Sequence, residues 1–141
     1  MTTRHLLLAL GFLTLLVSCK SKPTLVGTWT GSLPVQGIEV LMTFRFGSDG
    51  TLALTQTAAG QTSVQAGSYK ELERSFTFTP KSIEGAHIPK ATVDQMNAMI
   101  AANPQTVTFA LEWKDADTVV VTQQGAASVV AAPMTLKRGK T

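Results

Sequence analysis

The stretch QGIEVLMTFRFGSDGTLALTQT, residues 36–57, alternates apolar and polar side chains, breaks at a glycine-bounded turn and then alternates again. Ile38, Val40, Met42, Phe44 and Phe46 fall on one face of an extended chain, with Glu39, Thr43 and Arg45 on the other; Leu41 is the exception on the polar face. Period two marks a strand with one buried face. Gly47-Ser48-Asp49-Gly50 provides residues that accept the backbone angles of a tight reversal. Residues 36–46 and 51–57 therefore predict a hairpin, with Leu52 and Leu54 returning to the apolar face.

The same rhythm extends outward. Residues 26–33, 61–70 and 75–80 read as further strands, the last with Phe76 and Phe78 on one side. Residues 81–89 read as a loop. Residues 90–103 hold helix formers without Gly or Pro, and Val93, Met96 and Ile100, flanked by Met99, form one apolar stripe that Pro104 ends. Strands resume at 105–113, which carries Phe109 and Leu111, and at 118–124. A final strand lies within 129–138, with Pro133 at its start or at a bulge. The expectation is a mainly β fold of about eight antiparallel strands with one helix between strands five and six. Such strands close into a barrel, which removes exposed edges, or divide into a two-sheet β-sandwich; the barrel is favoured.

With 141 residues the chain holds one domain. Its N-terminus reads as a separate element. Arg4 sits in a short polar head, Leu6 to Val17 form an apolar run too short to span a bilayer, and small Ser18 precedes Cys19, the single cysteine. Leu16-Val17-Ser18-Cys19 resembles the lipobox of bacterial lipoproteins. The resemblance implies that residues 1–18 are a signal peptide and that Cys19 becomes the first mature residue and carries acyl chains such as palmitate. Each buried methylene contributes about 0.8 kcal/mol, and two or more chains anchor stably. Residues 19–25 then form a lipidated terminus and tether, and residues 26–138 the folded domain. From Lys20 to Thr24 the tether spans at most ~18 Å. Lys20 is not the Asp that, in that family, retains lipoproteins in an inner membrane, so a cell-envelope location is expected, in the outer membrane where the organism has one.

A second resemblance starts at Gly27-Thr28-Trp29. A Gly-x-Trp in the first strand, then a Phe-rich strand, an Asp-Gly turn and Gly67-Ser68-Tyr69, is similar to the lipocalin-like (calycin) group. The resemblance implies that Trp29 closes the barrel floor and that Arg138, on the last strand, packs against it, a structural role for both. The helix departs from the group's pattern, because lipocalins place theirs after the eighth strand.

The remaining sequence offers little chemistry. Beyond the signal, His87 is the only histidine, so there is no His pair for a metal, no HExxH helix and no Gly-x-Ser-x-Gly elbow. Asp115 and Asp117 read as a hairpin turn. A net charge of +3 with lysines and arginines spread toward both ends is no nucleic-acid footprint. The chain is read as non-enzymatic, without cofactor or metal. Two classes of function remain. One is a membrane-anchored protein that binds a small apolar ligand in or at the mouth of the barrel, with Met42, Phe44, Leu54, Phe76, Phe78, Met96, Met99 and Phe109 as candidate contacts and the helix as a lid. The other is a protein-interaction or inhibitor module with a filled barrel, displayed at the membrane surface.

Overall fold

The computed structural model describes residues 22–125 and 132–140; the predicted signal peptide and Cys19 lie outside them. The strands are β1 (Gly27–Val35), β2 (Ile38–Phe46), β3 (Thr51–Ala58), β4 (Gln61–Glu71), β5 (Ser75–Gly85), β6 (Val107–Asp115), β7 (Thr118–Gln124) and β8 (Met134–Arg138), with helix α1 (Lys90–Ala102) between β5 and β6. Each strand pairs antiparallel with the next, and β8 pairs back onto β1 through Trp29 opposite Arg138 and Thr30 opposite Lys137. This pairing closes the barrel and excludes the sandwich.

Local chemistry sets the register. Two hairpins turn on two residues in left-handed conformation, Gln36-Gly37 (φ 49° and 81°) and Ala59-Gly60 (φ 49° and 77°). Turns of this kind match the right-handed strand twist, and glycine takes the second position without steric cost. The reversal at Gly47–Gly50 is held differently: the Asp49 carboxylate accepts bonds from the Thr51 N–H (3.1 Å) and hydroxyl (2.6 Å).

The alternation read from residues 36–57 is the barrel's inside and outside. Phe44, Phe46, Leu52 and Leu54 are buried, while Leu41 points outward and is half exposed. Phe76 stacks on Phe109 with ring centroids 4.8 Å apart, and Phe46 meets Tyr69 edge-on at 4.9 Å. Aromatic pairs of this geometry add about 0.5–1.5 kcal/mol each beyond the area they bury. The aromatic cluster fills the half of the barrel nearer Trp29.

Three expectations require correction. Residues 81–85 are not loop: β5 runs on to Gly85. The register shifts opposite Ala66 and Gly67, where Lys81 is the extra residue next to Pro80. A bulge accommodates a proline within a strand, and it moves the inward position from Phe76 and Phe78 to Ile83, out of phase with period two. The barrel also begins before Val26. Leu25, assigned to the tether, is fully buried in the core. Lastly, α1 does not lie across the mouth. It packs against β5, and the Asn97 carboxamide accepts the Ile83 N–H (2.7 Å) and donates to the Ile83 carbonyl (3.2 Å). β6 pairs with β5 only along Ser75–Phe78, so Asn97 satisfies backbone groups that no strand reaches.

Candidate functional site

The two ends of the barrel differ. At the floor, the Trp29 indole N–H donates to the Leu25 carbonyl at 2.7 Å, and the Arg138 guanidinium lies 4.3 Å from the indole centroid. Arg138 also donates to the carbonyls of Val26 (2.8 Å) and Thr24 (2.7 Å), and its Nε lies 3.2 Å from an Asp117 carboxylate oxygen. The guanidinium's fixed fork lets one side chain gather the incoming chain, the β6–β7 turn and the indole face. The Leu25 N–H faces the Glu71 carboxylate at 3.3 Å, and Trp113 meets Trp29 edge-on at 5.7 Å. Leu25, Trp29 and Arg138 together seal this end. The roles that the lipocalin likeness implied for Trp29 and Arg138 coincide with this packing.

The rim is open. Above the aromatic cluster lies a cavity of about 270 Å³. Leu33 and Val35 of β1 with Val40 and Met42 of β2 line one side; Phe109 of β6 with Val121 of β7 and Met134 of β8 face them. Gln56 and Gln123 bring the polar groups to this wall, with Ala132 completing it. Among the described residues no charged side chain lines it. A dry cavity of about 150 Å³ holds benzene, and ordinary ligand pockets run from about 300 to 1,000 Å³. This space suits a small, mostly apolar molecule whose one polar group is met by a carboxamide.

Of the residues expected to contact a ligand, Met42 and Phe109 line the cavity. Phe44, Leu54, Phe76 and Phe78 lie in the packed core and are absent from its wall. Met96 and Met99 sit on α1, away from it, and Met99 is 64% exposed. Sequence reasoning missed Gln56 and Gln123, although alternation continued from Leu52 and Leu54 or from Val119 and Val121 puts both on the inner face. Their polarity concealed them.

Among the described residues two titratable groups are perturbed, both near the floor. Burial, with the charges of Glu71 and Asp49 nearby, pushes the Tyr69 phenol above its ordinary 10.0. Its hydroxyl donates to the Gly47 carbonyl at 2.9 Å and so ties β4 to the β2–β3 turn. The Thr51 hydroxyl and N–H hold the Asp49 carboxyl below its ordinary 3.8. Asp115 accepts the Asp117 N–H at 2.8 Å, as a tight turn requires. Among the described residues no three metal-capable side chains gather, and no helix is long and apolar enough to cross a membrane. Comparison with known protein families matches none, and comparison with curated proteins finds no significant relative.

Proposed function

We propose that this chain is a lipid-anchored envelope protein that holds a small, uncharged, largely apolar molecule in the rim half of a lipocalin-like barrel. One observation carries the reading: the inner wall changes from close-packed aromatic rings near Trp29 to a cavity of about 270 Å³ lined mainly by aliphatic and methionine side chains, with Phe109 at its base and two glutamines. A barrel whose only task was to display its outer surface gains nothing from an unfilled interior, since unfilled apolar volume weakens packing. Gln56 and Gln123 both donate and accept hydrogen bonds, so they favour an alcohol, amide or ester over a free acid or amine. The anchor follows from the lipobox-like Leu16-Val17-Ser18-Cys19, and the likeness to lipocalins from the Gly-x-Trp start together with the Arg138–Trp29 contact. Lys20 in place of Asp favours sorting to the outer membrane where the organism has one.

The test is organic extraction of the full chain purified from membranes, followed by mass spectrometry. An apolar, neutral molecule near one equivalent, lost in a Val40→Trp variant, is the expected result. Protein that extracts clean at every step overturns the carrier reading in favour of an interaction module. Labelled palmitate incorporated by the parent chain and not by Cys19→Ser is expected for the anchor, and no incorporation by either overturns it.

A further inference from the structure

We infer that the barrel stands floor-down on an anionic phospholipid surface, with the mouth of its cavity turned away from the bilayer that anchors it. The inference rests on the lipid-anchor reading above and adds a direction to it.

The tether sets the geometry. The incoming chain reaches the barrel at the floor, where Arg138 Nη2 holds the Thr24 carbonyl and Leu25 is buried beneath Trp29. From Cys19 to Thr24 the chain covers at most ~18 Å. A nine-residue strand such as β1 is about 30 Å long, and the tilt of barrel strands reduces this to a height of ~20–25 Å. The tether is shorter than the barrel is tall, so it cannot pass up the outside and bring the rim to the membrane.

The surfaces of the two ends differ in charge. At the floor, the acids Glu112 and Asp117 are already matched to Lys114 and Arg138. Lys22, Arg45, Lys70, Arg74, Lys137 and Lys140 have no ion pair among the described residues, against the unpaired acids Asp49, Glu71, Glu73 and Asp115, which leaves cations in excess. Exposed Leu72 and Val26 lie on the same end, in the β4–β5 turn and before β1. The rim carries the opposite sign: Glu39 and Glu84 lie there, Lys90 is paired with Asp94, and Lys81 lies at the bulge halfway along β5. Cations beside exposed apolar side chains fit an anionic headgroup layer, and an acidic rim is repelled by it. Ligand exchange at the rim therefore proceeds from the aqueous side, by way of a soluble donor or acceptor, and not by sideways entry from the anchoring leaflet.

The experiment places one fluorophore at either end of the full, acylated chain, through Leu72→Cys at the floor or Ile38→Cys at the rim, both exposed in the parent protein. The chains are reconstituted in phosphatidylcholine–phosphatidylglycerol vesicles containing brominated lipid. The expected result is several-fold stronger quenching by lipid at position 72, with position 38 open to iodide from the aqueous side. Equal or stronger lipid quenching at position 38 overturns the orientation while leaving the anchor intact. Intact mass without acyl groups overturns the anchor itself, and the orientation with it. Quenching at position 72 that is unchanged in purely zwitterionic vesicles overturns the anionic preference.

Discussion

At the floor, directed hydrogen bonds and ring contacts join Trp29 to Leu25 and Arg138 and Tyr69 to Phe46 and Gly47, whereas at the rim Leu33, Val35, Val40 and Gln56 surround space. Both regions come from the same eight strands, and β1 and β2 run through both. The contrast shows how one barrel combines a packed closure with an unfilled interior. Large aromatic residues are concentrated in the floor half, Phe109 borders the cavity, and the remaining inward positions around it carry aliphatic, methionine or amide side chains. Strand pairing keeps the upper wall in place without a packed interior, because the ladder from β1 through β4 continues to the rim.

The contrast is most sharply broken by Trp29→Ala. It removes a fully buried ring, the bond to Leu25 and the surface on which Arg138 rests, so urea unfolding should register a loss of about 3–5 kcal/mol. The matching truncation at the rim, Val40→Ala, should cost about 1 kcal/mol or less because its side chain is only partly buried. Equal losses would mean that stability is spread evenly along the barrel. Next in size is Gly67→Ala, beside the β5 bulge. A Cβ there would collide with the Thr79 carbonyl and the Pro80 Cα, and relieving the clash should cost about 1–3 kcal/mol.

Tyr69→Phe should cost about 1 kcal/mol at neutral pH, for the bond to the Gly47 carbonyl. It should also change the alkaline limb of stability. The folded phenol has its pKa raised, so above pH 10.0 the unfolded chain loses this proton first and the parent protein weakens as pH rises through the folded value. The variant should lack that part of the decline in alkaline urea titrations. Smallest in stability is Val40→Trp, expected within about 0.5 kcal/mol of the parent because it fills open volume at the rim. Its effect should appear in ligand retention alone, separating the two regions by function as well as by energy.

Much of the barrel was legible because period two is unambiguous where one face is buried. Residues 36–57 predicted their hairpin and its inward face, and residues 118–124 coincide with β7. The end of β5 was illegible for a physical reason: Pro80 reads as a terminator, and the bulge at Lys81 shifts Ile83 out of phase. Leu25 was hidden because a single apolar residue beside a polar linker carries no period. It is recognised only when Trp29, four residues on, folds back over its carbonyl. The apolar stripe of α1 was visible, but a stripe specifies that something is covered and not what. Here Val93, Met96 and Ile100 are half-buried on a helix that packs against β5. The cavity was the least legible feature, since an inward Gln56 has the same alternation as an inward leucine, and only assembled strands reveal where side chains fail to meet.

The Asn97 carboxamide has a consequence for colloidal behaviour. By occupying the N–H and carbonyl of Ile83 it takes the place of a neighbouring strand along the stretch that β6 leaves uncovered. Such a stretch, left bare, is a template on which another copy of the chain can add itself, the first step of edge-to-edge aggregation. The helix inserted between the fifth and sixth strands thus blunts an edge to which another strand could otherwise add.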